Sequence, residues 1–139
     1  MAQKLYLDTS IWRDYYENRS DKFRPLGEWA LELLNKTIHE KGTILYSDLV
    51  VEELNIKYAQ QEIDNIFSFV RMKGILVKAD ISREQANEAV LLCKKKKVAF
   101  GDVLHAILAR DYKAIMVTRD KHFQELSNIV EIKKPEELL

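Results

Sequence analysis

The sequence holds a single cysteine, Cys93, in 139 residues. One thiol closes no internal disulfide and builds no cysteine zinc cluster, which suits a reducing, intracellular compartment. Glycine and proline are scarce, at four and two residues. No linker, repeat or low-complexity segment stands out, so residues 1–139 read as one domain. Long apolar runs are missing: none approaches the ~18 residues of a membrane span, and the opening MAQKLYLDTS lacks the apolar core of a secretory leader. An excess of one charge is missing too, since Lys+Arg and Asp+Glu both number 22. A neutral sum advertises no strongly basic face for nucleic acid and forbids none, because local patches hide inside it. Hydrophobic residues are plentiful at 47%, enough for a packed core and too many for disorder.

The most informative stretch is Phe100–Phe123. Gly101-Asp102 opens a helix whose apolar positions Val103, Leu104, Ala106, Ile107 and Leu108 share one broad face. Ala114–Val117 is a short apolar run of strand type, broken by Thr118-Arg119-Asp120. One carboxylate therefore sits where a helix begins and another where a strand ends. In an open α/β sheet both places line the crevice beyond the carboxyl ends of the strands. The rest of the chain has the same rhythm. Strands are expected at Lys4–Leu7, Thr43–Tyr46, Ile75–Val77 and Asn128–Ile132. Helices are expected at Ile11–Glu17, Leu26–His39 and Leu49–Tyr58, around Ile63–Val70, and at Ser82–Lys97. Pro135–Leu139 reads as a terminal helical turn. A hydroxyl of Thr9 or Ser10 suits a helix cap, Ser47-Asp48 suits another, and Ser82 with Gln85 suits a capping box. Strands alternating with helices imply an α/β domain: a central parallel sheet of about four to five strands with helices on both faces.

On this map Asp8 ends the first strand, Glu53 lies in the helix after the second, Asp102 starts the central helix, and Asp120 follows the next strand. Four carboxylates brought to one sheet edge would raise one another's pKa. Hard divalent cations remove that conflict, and Mg²⁺ or Mn²⁺ suits carboxylate-and-water ligation. Ions held in this way activate water and stabilise the leaving oxygen in phosphodiester cleavage, so the pattern points to a metal-dependent nuclease. Each residue also has a plain reading. Asp102 suits an N-cap, Asp8 and Asp120 suit turns, and Glu53 suits a solvated helix face.

The same residues resemble PIN domains, especially the small stand-alone kind typified by VapC toxins. Leu5-Tyr6-Leu7-Asp8-Thr9-Ser10 is similar to the family's opening strand and first aspartate. Ser47 followed six residues later by Glu53-Leu54 is similar to the second motif. Gly101-Asp102-Val103-Leu104-His105-Ala106 is similar to the third, and Val117-Thr118-Arg119-Asp120-Lys121-His122-Phe123 to the fourth. The resemblance runs from Lys4 to Leu139. It implies a Rossmann-like fold and an RNA-cleaving site in which Asp8, Glu53, Asp102 and Asp120 hold Mg²⁺ or Mn²⁺, with Thr9, Ser10 and Thr118 at supporting hydroxyl positions. It also implies a toxin–antitoxin context, with an antitoxin protein blocking the crevice, a homodimer and a cytoplasmic setting. In the second motif Glu52 is adjacent to Glu53, and neighbours on a helix point about 100° apart. Spacing and the following Leu54 favour Glu53; a different helix register would give the role to Glu52.

Several further residues have two readings. His105 is three residues after Asp102 on the same helical side, as a partner of a metal-bound carboxylate or of RNA, or as a partly buried helical residue. His122 suits a surface turn or a phosphate contact, and no histidine-based metal motif is visible. Lys94–Lys97 suits a solvated helix end or RNA phosphates. Arg13, Arg119 and Lys121 flank the acidic motifs and would offset their charge toward a phosphate backbone. Trp12, Tyr15 and Tyr16 suit packing, a dimer surface or base stacking, and Cys93 a small core position. Two other functions share these features. One is a non-catalytic module binding RNA or a protein. The other is a metal-dependent phosphatase or DNA-directed nuclease on a similar sheet.

Overall fold

A computed structural model describes residues 2–139. The strand β1 (Lys4–Leu7) leads into α1 (Thr9–Glu17) and α2 (Leu26–His39). Next, β2 (Thr43–Ser47) leads into α3 (Asp48–Asn55) and α4 (Gln60–Met72), and β3 (Leu76–Ala79) into α5 (Arg83–Lys96) and α6 (Phe100–Asp111). Then come β4 (Ile115–Val117), a 3₁₀ turn at Lys121–Leu126, β5 (Ile132–Lys133) and a 3₁₀ turn at Pro135–Leu138. All strand pairs are parallel, in the order β3-β2-β1-β4-β5. This is the expected α/β class with five strands. No helix among the described residues is long and apolar enough to cross a membrane.

The chain steps outward from β1 through β2 to β3, then crosses back over β1 to β4. Right-handed crossovers in opposite directions put their helices on opposite faces of the sheet. Side chains agree with this. Phe67 of α4 meets both Trp12 of α1 and Tyr46 of β2, with ring centroids 4.8 and 4.7 Å apart. Tyr6 of β1 is the register partner of Leu45, so it points to the other face, where it reaches His105 of α6. Covered on both sides, Leu5, Tyr6 and Leu7 are almost fully buried, as a central parallel strand requires. Close approach of α1 and α2 depends on Gly27. A methyl group there would lie 2.5 Å from the Asn18 Cα and 2.7 Å from the Asp14 carbonyl oxygen.

Some sequence expectations need correcting. Pairing of the last strand starts only at Ile132, because the Ile129 and Val130 amides turn back to the Leu126 carbonyl, at 2.9 and 3.4 Å. The helix expected to Tyr58 ends at Asn55, where the Ile56 and Lys57 amides tighten to three-residue steps. On α5 only Ala89 of the expected apolar face is buried, and Val90 is exposed; α5 packs beside α6, and that contact needs a narrow face. Cys93 is half-buried. The Ser82–Gln85 capping box is present, with bonds of 3.1 and 2.8 Å. Ser47 caps α3, accepting from the Val50 amide.

Candidate active site

The reversal of strand order falls between β1 and β4, the switch point at which open α/β sheets form their ligand crevice. Asp8 leaves the end of β1 there, and Thr118 and Asp120 follow β4. The Asp8 amide donates to the Val117 carbonyl at 3.0 Å, so the central strand pair continues up to the carboxylate. Asp8 is the N-cap of α1 without capping it through its side chain. The hydroxyls expected to cap have other work. Ser10 donates to Asp8 Oδ2 at 2.8 Å and Thr118 to the same oxygen at 3.0 Å. Thr9 donates to Glu53 Oε1.

The helix register of α3 decides between the adjacent glutamates. Glu52 is exposed, whereas Glu53 is partly buried and turned inward. Its Oε1 also accepts from His105 Nε2 at 2.8 Å. The first turn of α6 stands against the same carboxylate: a methyl at Gly101 would lie 3.4 Å from Glu53 Oε2. Asp102 is the third residue of α6, past the capping position held by Ala99. The structure thus assembles two adjoining groups. Ligand atoms of Asp8, Glu53 and His105 lie within 4.8 Å of one another, and so do those of Asp102, Asp120 and His122.

Electrostatics joins the two groups. Burial first, then the charges of Asp120 and Asp8, push the Asp102 carboxyl up to about 6. Of the four charged side chains acting on it, three are carboxylates. Asp8 is raised mainly by burial, against the opposing pull of His105 and its two hydroxyl donors. Glu53 goes the other way. Burial pushes it up, but the hydrogen bond and charge of His105 and the Thr9 hydroxyl outweigh that and hold it below the ordinary range. Both bonds to Asp8 fall on Oδ2 and both bonds to Glu53 fall on Oε1, which leaves Oδ1 and Oε2 for a ligand. Carboxylate oxygens carrying mutually repelling charge fit a hard divalent cation, and each group also has an imidazole nitrogen within reach.

The surroundings differ from expectation in several places. Arg119 does not face the crevice as a free cation. It forms a two-pronged pair with Glu136, at 2.7 and 2.9 Å, and lies over the Trp29 ring. Lys121 is exposed and lines a cavity of about 310 Å³ with Arg24, Thr118, Arg119, Asp120, Gln124 and Lys134. Arg24 and Lys134 of this basic set were not singled out by sequence, having no motif around them. Arg13 pairs with Glu17 at 3.1 Å and lines an open cleft with Asp8, Thr9, Glu53 and Lys57. Of the lysine run, Lys97 reaches a small cavity beside Asp102 and His122. Trp12 is fully buried, which removes it from base stacking. His105 is fully buried as well. Tyr6, which bonds to both Ser47 and His105, carries no signal as a polar group in the sequence, because a Leu-Tyr-Leu strand reads as uniformly apolar.

Fold and site together define an α/β protein with a carboxylate centre at its switch point. The PIN domain family model matches residues 5–129, and the chain belongs to that family. No curated protein matches it. Solved structures share the fold. The VapBC2 complex of Rickettsia felis bound to a promoter DNA fragment matches at 17% identity and TM-score 0.67, covering 95% of this chain and 98% of that one. A toxin–antitoxin complex from Klebsiella pneumoniae matches at 16% and 0.63, covering 94% and 97%. FitAcB of Neisseria gonorrhoeae matches at 18% and 0.59, covering 96% and 99%.

Proposed function

We propose that the protein is a metal-dependent endoribonuclease whose Mg²⁺ or Mn²⁺ is held by Asp8, Glu53, Asp102 and Asp120. The observation that carries this reading is the convergence of four carboxylates, two of them fixed by hydroxyl donors, on the crevice between β1 and β4. A divalent cation bound there supplies Lewis-acid stabilisation of a phosphodiester and a more acidic water. The chain's own residues do the rest. Ser10 and Thr118 orient Asp8, Thr9 and His105 orient Glu53, and the basic cavity around Lys121 offers phosphate contacts beside Asp120. No side chain among these is a free nucleophile, which favours direct attack by water.

The toxin role, an antitoxin partner that covers the crevice, a homodimer and a cytoplasmic setting belong to the same reading. Family membership and the toxin–antitoxin complexes among the similar folds support the toxin role and the antitoxin partner. RNA cleavage by the purified protein in Mn²⁺ and in Mg²⁺, with a chelator control and Asp102→Asn alongside, tests it. Metal-dependent cutting that disappears in the variant is expected. Cutting that survives in Asp102→Asn, or in chelator, refutes the assignment, and metal-independent RNA binding without cutting would make the protein a binding module.

A further inference from the structure

A chain of hydrogen bonds runs behind the carboxylates through the core. Ser47 Oγ lies 2.7 Å from the Tyr6 hydroxyl, which lies 2.7 Å from His105 Nδ1, and His105 Nε2 lies 2.8 Å from Glu53 Oε1. Tyr6, Ser47 and His105 are all 0% exposed. The link to Glu53 has a fixed direction. An ionised carboxylate only accepts, so Nε2 carries the proton. His105 Nδ1, the Tyr6 hydroxyl and the Ser47 hydroxyl then follow one another at hydrogen-bond distance. Ser47 accepts in turn from the Val50 amide at 3.4 Å.

The placement of these residues matters as much as the bonds. Tyr6 precedes Asp8 by two residues on β1, Ser47 caps the helix that carries Glu53, and His105 is one turn beyond Asp102 on α6. The chain therefore ties together three of the elements that deliver carboxylates. Burying three polar side chains is costly unless all are bonded, whereas apolar groups of the same shape would pack with no such demand. A polar trio in the middle of the core thus does something that packing alone does not require. Its free end explains what: with Thr9 and His105 both on Oε1, the Glu53 carboxylate is held in one rotation, and Oε2 is the oxygen left over.

We propose that Tyr6 and His105 are positioning residues that lock the Glu53 carboxylate for cation binding, so that the site is pre-organised before substrate arrives. This rests on the reading of Glu53 as a metal-holding residue. The experiment is Mn²⁺ binding to the RNA-free protein, followed by electron paramagnetic resonance, in wild type, Glu53→Gln, His105→Leu, His105→Gln and Tyr6→Phe, with the Tm of each. Loss of an outer partner of a metal ligand costs 10–100-fold in affinity. His105→Leu is expected to weaken Mn²⁺ binding by about that factor. His105→Gln, which restores an N–H donor, should recover part of it. Tyr6→Phe, which removes one oxygen and keeps the shape, should cost a smaller factor and covers the case in which His105→Leu fails to fold. Unchanged Mn²⁺ affinity in folded His105 and Tyr6 variants, with Glu53→Gln impaired, overturns the positioning role and leaves the site intact. Directly bound imidazole nitrogen in the electron spin-echo spectrum also overturns it, by making His105 a ligand. Unchanged affinity in Glu53→Gln, or no binding by wild type, overturns the underlying assignment instead.

Discussion

Replacing Asp102 by Asn should stabilise the metal-free protein while it removes one of the four proposed cation-holding carboxylates. The Asp102 carboxyl, ordinarily near 3.8, is pushed up to about 6 by burial and by Asp120 and Asp8. A group raised in the fold keeps its proton while the unfolded chain has lost it. Stability therefore falls as pH rises through that window and stays lower above it. At ~1.36 kcal/mol per pK unit the full penalty is about 3 kcal/mol. Asp102 is only partly buried, and solvent screening reduces this to about 1.5 kcal/mol. A carboxylate in the first turn of a helix also gains about 0.5 kcal/mol from the helix dipole, which Asn forgoes. The net gain for Asp102→Asn is about 1 kcal/mol, a rise of about 3 °C in Tm for a chain of this size. Thermal unfolding in chelator should show this gain near about pH 7.5 and lose it below about pH 3, where both states protonate the wild-type residue. A variant less stable than wild type at neutral pH, or a gain independent of pH, would refute the electrostatic reasoning.

Three further outcomes are expected. Mn²⁺ at about 100 times its dissociation constant should stabilise wild type by about 2.7 kcal/mol and Glu53→Gln far less; a wild-type Tm indifferent to Mn²⁺ and Mg²⁺ would contradict the site. Arg119→Ala removes the partner of the partly exposed Glu136 and one of the two arginines beside the buried Asp14, which keeps Arg19 at 3.4 Å, and should cost about 1–2 kcal/mol in urea unfolding. Adding Glu136→Gln should return part of that loss, and full additivity of the two changes would disprove their coupling. Gly27→Ala drives a methyl group into the backbone of Asn18 and Asp14 and should cost at least about 2 kcal/mol; a neutral result would mean that α2 shifts freely against α1.

Much of the architecture was legible because its signals are local. Alternating strand and helix patterns, the Ser82–Gln85 box and the Ser47 cap depend on neighbours within one turn, and all are found. The sequence motifs drew attention to the four carboxylates: Asp8 and Asp120 just past strands, Asp102 in the first turn of a helix and Glu53 inside one. Choosing Glu53 over Glu52 required the register of α3 against Thr9 and His105, a long-range fact that spacing alone does not contain. Arg119 shows the same limit. Its place beside Asp120 suggested a crevice cation, but Glu136, distant from the motif, captures its guanidinium. Ile129 and Val130 looked like a strand because apolar runs in turns and strands are alike in composition; only the amide bonds to Leu126 tell them apart. Tyr6 was invisible as a polar group because its hydroxyl is spent inside the core.

The order of the strands also sets a clock. β1 finds its partner β2 within about forty residues of synthesis, but its other partner, β4, comes more than a hundred residues after it. The same gap separates Asp8 from Thr118, the residue that helps hold it, and from Asp120. At a synthesis rate of about 5–20 residues per second, the last carboxylate arrives roughly 6–20 s after the first. During that interval a nascent chain can hold Asp8 and Glu53 near each other but not all four carboxylates, so the switch-point crevice closes only when the chain is nearly complete.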